Sequence, residues 1–194
     1  MSGCRIARRN RPPQRHLRAE IAVLKEQAFE LCRIAGQQSG VDPKLLLAIA
    51  LRESGQNGGV KDDEARLENA FFHRYTRGEG LSTTTAILLA ASYGMMQVMG
   101  QSLKEMGYFD FYKGYHNDRN SFQIQDPLSE IGVPKAINAF MVRPPWQFEW
   151  GARWFQKKLR AAGSNVEHAL LLWNGGGNLK YPQEVLAIME TIKA

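Results

Sequence analysis

Cysteine is nearly absent. Cys4 and Cys32 are the only two in 194 residues, too few for a disulfide framework or a thiolate metal site. The four histidines, His16, His73, His116 and His168, show no ligand spacing, so no metal and no cofactor is called for. Long hydrophobic runs are missing as well. Leu45 to Leu51 and Ala86 to Ala91 are the longest, and both are too short to span a bilayer, so no transmembrane segment is expected. Met1 to Arg9 holds no apolar h-region, so no secretory signal is expected there. Together these absences suit a protein made in a reducing cytoplasm that reaches any outside target by a route other than a signal peptide. Sustained strand alternation and repeats of 20 to 50 residues are also lacking, which argues against sandwiches, barrels and solenoids. Acidic residues are scarce at the start: Glu20 alone faces Arg5, Arg8, Arg9, Arg11, Arg15 and Arg18, so the first twenty residues carry +5 of the net +6. The pI of about 9.4 therefore belongs to an arm more than to the body.

What is present is mostly helical patterning, with 44% hydrophobic and 23% charged residues, as in ordinary globular domains. Residues 1–14, with Pro12-Pro13, read as a flexible basic arm. Residues 15–37 read as a long N-terminal helix, because Leu17, Ile21, Leu24, Ala28, Leu31 and Ala35 recur at spacings of four and three. That helix is expected to lie against the body, with partner binding as the alternative. Residues 38–194 form the remaining domain. Within it, Asp62 or Asp63 should cap a helix carrying Leu67, Phe71, Phe72 and Tyr75. The stretch from Tyr108 to Gln125 reads as irregular surface chain. Asp126-Pro127 should open a helix to about Met141 with a break at Pro134, and Pro144-Pro145 should be a connector ahead of a helix from Phe148 to Ala161. Ser164-Asn165-Val166-Glu167 has the form of a capping box, and Pro182 sits in the first turn of a last helix.

The stretch that carries chemistry is Asp42 to Gly55. Asp42 suits an N-cap, Pro43 the first helical position, and Gly55 a left-handed stop. Stepping back from Glu53 by helical turns gives Ala50, Ile49 and Leu46, so the acid lies on the core-facing stripe. Burial and the negative end of the helix dipole both disfavour its charge, and a glutamate kept protonated can serve as a general acid. The plainer alternative is a helix-terminal glutamate paired with Arg52 or another cation. Two further glycine- and amide-bearing stretches, Gly94-Met95-Met96-Gln97 and Trp173-Asn174-Gly175-Gly176 with Tyr181 after it, suit chain that wraps closely around a ligand.

In this order the three stretches resemble the peptidoglycan lytic transglycosylases of the soluble, lysozyme-like type. That family has Glu-Ser ending an apolar helix, then Gly-Leu-Met-Gln, then Ala-Tyr-Asn-Ala-Gly, then a tyrosine opening the final helix. Glu53-Ser54, Gly94-Met95-Met96-Gln97, Leu172-Trp173-Asn174-Gly175-Gly176 and Tyr181 stand in those places. Ala65 to Asn69 followed by aromatics resembles a subset found in phages and bacteria. The resemblance implies a mostly α, goose-type or SLT lysozyme-like domain with peptidoglycan glycan strands as substrate and 1,6-anhydro-muramic ends as product. It makes Glu53 the single general acid and base. Ser54, Gly94, Met95, Met96, Gln97, Trp173, Asn174 and Tyr181 would be substrate-binding, with Tyr181 orienting Glu53 and Met95, Met96 and Trp173 keeping the site dry. Trp173 stands where the family has tyrosine, so packing or sugar stacking is expected of it and not a hydroxyl bond.

The nearest rival is a hydrolytic muramidase on the same fold, its second carboxylate drawn from Asp62, Asp63, Glu64, Glu68 or Glu79. The rival of another class is a non-catalytic virion structural or nucleic-acid-binding protein using the arginine arm, which leaves Glu53, Gln97 and Tyr181 without a reason to coexist. Virion, tail or secretion-machine proteins are the partners expected for the arm and first helix, and a virion or dedicated export route would deliver the protein to the periplasmic wall.

Overall fold

The structure, a computed structural model, describes residues 14–56, 59–60, 65–69, 71–73 and 81–193, with the backbone alone for 14–25, 56 and 59. The basic arm, apart from Gln14, lies outside the described residues, as do Asp62, Asp63, Glu64, Tyr75 and Glu79.

Helix α1 (Gln14–Ser39) buries Ala28 and Ala35 of the predicted seam and half-buries Leu31, with Cys32 buried beside them, and it packs on α2 (Pro43–Ser54). It lies against the body, as its spacing predicts. Asp42 caps α2 by accepting from Lys44 N–H at 2.8 Å, and Pro43 takes the first turn, where its missing N–H leaves no bond unmade. Leu45 to Ala50 are all buried, which makes α2 the central helix. Gly55 does not stop it in a left-handed conformation. Its φ of −72° and ψ of 126° are extended, and its N–H caps the helix at Leu51 O. Glycine is needed there for closeness, because a Cβ would collide with the Leu51 carbonyl.

Strand β1 (Gly55–Gln56) pairs antiparallel with β2 (Gly59–Val60). Residues 65–67, read from sequence as the start of a helix, form β3 (Ala65–Leu67) instead. All three are exposed, so no alternation of burial marks them. What fixes them is the ladder to β4 (Ala91–Tyr93), with Ala65 opposite Tyr93 and Leu67 opposite Ala91. Helix α3 (Thr83–Leu89) leads into β4, and β5 (Val98–Met99) completes the sheet in the order β3-β4-β5.

After α4 (Gly100–Glu105), the segment expected to be irregular folds as α5 (Tyr108–Asn117). Tyr108, Phe109, Tyr112 and His116 are its buried face, and Tyr108 OH donates to Ala136 O at 2.8 Å. Helix α6 (Gly132–Met141) begins later than predicted. Asp126 instead organises a turn, its Oδ1 accepting from Leu128 N–H at 2.9 Å, while Ser129 Oγ accepts from Gly132 N–H at 3.0 Å. Pro134 then falls in the first turn of α6 and breaks nothing. Pro144-Pro145 is the start of α7 (Pro144–Ala161) and not a connector ahead of it.

Helix α8 (Val166–Trp173) is capped by Asn165 Oδ1, which accepts from His168 N–H at 2.8 Å, so the cap sits one residue later than the capping box predicts. The last helix is α9 (Tyr181–Glu190), with Pro182 in its first turn and Val185 buried. Helix α1 packs on α7, α9 on α2, and α8 on α7, so the ends of α2, α8 and α9 converge. The domain is mostly α-helical, as a lysozyme-like fold requires, and no helix among the described residues is long and apolar enough to cross a membrane.

Candidate active site

Glu53 sits in the last turn of α2, half-buried, with its carboxylate at the point of convergence. Tyr181, the first residue of α9 and 1% exposed, donates its hydroxyl to Glu53 Oε1 at 2.6 Å. Trp173, the last residue of α8, donates its indole N–H to the same oxygen at 3.3 Å. Both donors therefore point at Oε1 and mark it as the acceptor oxygen, leaving Oε2 to carry a proton. Burial raises the pKa of the carboxyl, and this outweighs the hydrogen bonds from Tyr181 and Trp173 and the more distant Arg66 and Arg52 charges, which lower it. The net direction is upward. Burial, together with the Glu53 charge, also raises the Tyr181 phenol, so it stays a donor.

Arg52, offered above as a partner for Glu53, turns elsewhere. Its Nε donates to Glu184 Oε2 at 2.7 Å, and its guanidinium lies 5.6 Å from the Tyr181 ring centroid. No ion pair holds Glu53 among the described residues.

Ser54 does not face the cleft. It is 2% exposed, and its Oγ lies 3.0 Å from Ala50 O and 2.8 Å from Met95 O, which ties the end of α2 to the turn between β4 and β5. That turn is Gly94-Met95-Met96-Gln97. Gly94 has φ +70°, and a Cβ there would collide with the Gln147 amide. Gln147, fully buried on α7, accepts from Met95 N–H at 2.8 Å and donates to Met141 O at 2.8 Å. Gln97 also takes a positive φ, 48°, and its Nε2 donates to Gly94 O at 2.9 Å. A non-glycine residue held there stores strain, which the Gln147 and Ser54 bonds sustain. Gly94, Met95 and Met96 are buried behind the site and form none of the cleft surface. Met96 packs where Gly151 of α7 leaves room, since a Cβ on Gly151 would strike its sulfur.

A cleft of about 440 Å³ runs from Glu53 along the sheet and α7. Of the residues singled out from sequence, Glu53, Gln97, Trp173 and Asn174 line it, and Tyr181 supports Glu53 from behind. Glu68, one of the proposed second carboxylates, lines it too, held by Arg66 Nε at 2.9 Å and Ser92 Oγ at 3.4 Å. Arg66, Gln101, Trp154 and Lys158 are among the others that line it without having been singled out as site residues. For Trp154 and Lys158 the signal was there in a helical i, i+4 spacing. For Arg66 and Gln101 there was none. Asn174 Nδ2 and Gln101 Oε1 are buried without a hydrogen-bond partner among the described residues, which suits groups awaiting a ligand.

No curated protein and no solved structure matches the chain. A family model described as the transglycosylase SLT domain matches residues 30–128. That span holds α2 with Glu53, the Gly94 to Gln97 turn and Glu68, and it stops short of Trp173, Asn174 and Tyr181. With half of the sequence matched and a half-buried glutamate lining a helical cleft, the chain belongs to the transglycosylase SLT domain family.

Proposed function

We propose that the protein cleaves the β-1,4 bond between N-acetylmuramic acid and N-acetylglucosamine in peptidoglycan, leaving 1,6-anhydro-muramic ends, with Glu53 as both acid and base. Membership of the SLT family supports peptidoglycan as substrate and lytic transglycosylase activity. The observation that carries the finer reading is the double donation to Glu53 Oε1 on a carboxyl whose pKa burial raises. Glu53 Oε2–H gives its proton to the glycosidic oxygen as the bond to muramic C1 breaks, and the bonding pair leaves with the N-acetylglucosamine hydroxyl. The substrate's own N-acetyl oxygen traps the oxocarbenium-like centre, as in substrate-assisted glycosidases. The muramic C6 hydroxyl then attacks C1, the acetyl oxygen departs, and the hydroxyl proton returns to Glu53. Charge on Glu53 rises and falls once per cycle, and the Tyr181 and Trp173 donors stabilise the carboxylate stage. Asn174 Nδ2 is a donor suited to an N-acetyl carbonyl.

Hydrolysis has one observation in its favour: Glu68 shares the cleft with Glu53, as a water-activating base would. Delivery to the periplasmic wall by a virion or a dedicated export route, with partners at the arginine-rich arm and first helix, belongs to the same proposal. The first test is clearance of a peptidoglycan suspension by purified protein and by a folded Glu53→Gln variant. Clearance by the wild type alone supports Glu53 as the acid, and clearance by both removes it from the mechanism.

A further inference from the structure

Arg52 and Glu53 stand side by side at the end of α2, and a helix turns successive side chains about 100° apart, so the two reach different parts of α9. Glu53 meets Tyr181, and Arg52 meets Glu184, three residues on along the same face of α9. The guanidinium donates from Nε to Glu184 Oε2 at 2.7 Å and lies 5.6 Å from the centroid of the Tyr181 ring, within cation-π reach. One hydrogen bond alone would let α9 turn about the Glu53–Tyr181 contact. A second contact, one turn further along, fixes that rotation. Glu184 Oε2 also accepts from Asn178 Nδ2 at 3.3 Å. Asn178 in turn accepts Tyr181 N–H on its carbonyl at 3.1 Å and Lys180 N–H on Oδ1 at 2.9 Å, so it shapes the chain that joins Trp173 to Tyr181. That chain passes through Gly175 and Gly176, where a Cβ would meet nothing within 4 Å, so hydrogen bonds and not packing define its path.

The side chains of Arg52 and Glu184 are each more than a third exposed, and an ion pair so placed adds little to stability, which makes its geometry matter more than its strength. Arg52 lines none of the cleft. We propose that Arg52 is a positioning residue: held by Glu184 and lying on the Tyr181 ring, it keeps the phenol aimed at Glu53 Oε1. For turnover the inference rests on the peptidoglycan-cleavage reading above; for Glu53 itself it rests on the contacts alone. As a charge Arg52 also lowers the Glu53 pKa, as does Arg66 from β3, and Glu68, Glu105 and Lys158 line the same cleft. That charge acts with or without the Tyr181 hydroxyl, whereas the clamp acts only through it.

The experiment is a double-mutant cycle on the full chain, read as kcat and KM on soluble glycan fragments and as the NMR titration of the Glu53 carboxyl carbon. Tyr181→Phe keeps the ring beneath the guanidinium and removes only the hydroxyl. Arg52→Met should lower kcat by about three- to tenfold in the wild type with KM little changed, and by less than about twofold in Tyr181→Phe, because residues that act as a unit do not add. The Glu53 midpoint should rise in Arg52→Met, and rise less where Tyr181→Phe is already present. Glu184→Gln cuts the clamp at its other end, should show the same dependence on the hydroxyl in kcat, and carries the comparison if Arg52→Met does not fold. Equal loss of kcat in the two backgrounds makes Arg52 structural and overturns the inference. A rise in the Glu53 midpoint of the same size in both makes Arg52 a charge alone and also overturns it. A wild type that cleaves no fragment contradicts the cleavage reading, and the Glu53 midpoints then decide the inference by themselves.

Discussion

At Glu53 burial works against charge while Tyr181 and Trp173 work for it, and burial prevails. Replacing the acid with glutamine keeps shape and hydrogen bonding but ends proton cycling, so turnover should fall by about 10² to 10⁴, read as release of soluble fragments. The same change should stabilise the fold. A carboxyl whose pKa is raised by folding binds more protons folded than unfolded between its two pKa values, so it costs stability as pH rises from about 4.3 through the folded value. The melting temperature of Glu53→Gln should therefore exceed that of the wild type near neutrality, and the gap should close at low pH; a gap independent of pH would contradict this. Tyr181→Phe removes one donor to Oε1, which should slow the reaction without changing the product and shift the alkaline limb of the pH-rate profile further upward. A shift downward would mean that the phenol does not stabilise the charged form. Tyr181 was legible only through the family resemblance, which has a tyrosine opening the final helix, since a lone tyrosine before Pro182 reads as packing. Trp173 was only half legible: a tyrosine hydroxyl is lost there, but the indole N–H supplies a bond to the same acid, at 3.3 Å.

At the scale of elements, the start and the face of α2 could be read because cap, first-turn proline and apolar stripe all agree, while its stop at Gly55 is extended and not left-handed. Helix α5 could not. Its Gly, Asn and Asp content resembles loop, and what makes it a helix is tertiary, a ring cluster in which Tyr108 meets Phe140 edge-on at 5.5 Å and Trp150 at 5.2 Å. Strand β3 was lost for the converse reason, since its residues are exposed and only the pairing with β4 orders them. The turn before β5 shows which glycines matter. Gly94 and Gly175 share a left-handed φ, +70° and +72°, but only Gly94 has a side chain, Gln147, pressed against it. Gly94→Ala should therefore cost more stability than Gly175→Ala, by roughly 1–3 kcal/mol beyond the backbone penalty common to both. Denaturant titration of the two variants measures this, and equal midpoint shifts would mean that the Gln147 contact does not constrain the turn.

Across the whole molecule, Glu53 is joined by the turn behind it, 41 residues on from Ser54, and by Trp173 and Tyr181, 120 and 128 residues on from Glu53, and they meet because α9 and α8 end against α2 and α7. Order along the chain was enough to suggest the site, but not to separate Gln97 and Asn174, which face the cleft, from Ser54 and Met95, which support it. Periodicity reports burial without saying which buried residue borders a cavity. The arm before residue 14 carries four arginines and no acidic residue, so its removal should leave turnover of short soluble fragments within about twofold while weakening salt-sensitive attachment to whole sacculi. Loss of turnover on short fragments would make the arm part of the site. The central claim, that one acid works with the substrate's own C6 hydroxyl as acceptor, is tested most directly by digesting sacculi in H₂¹⁸O and weighing the new muramic ends. The account predicts 1,6-anhydro ends, lighter by one water than hydrolytic ends and free of ¹⁸O. Reducing muramic ends carrying ¹⁸O as the main product would contradict it and make Glu68 the base that activates water.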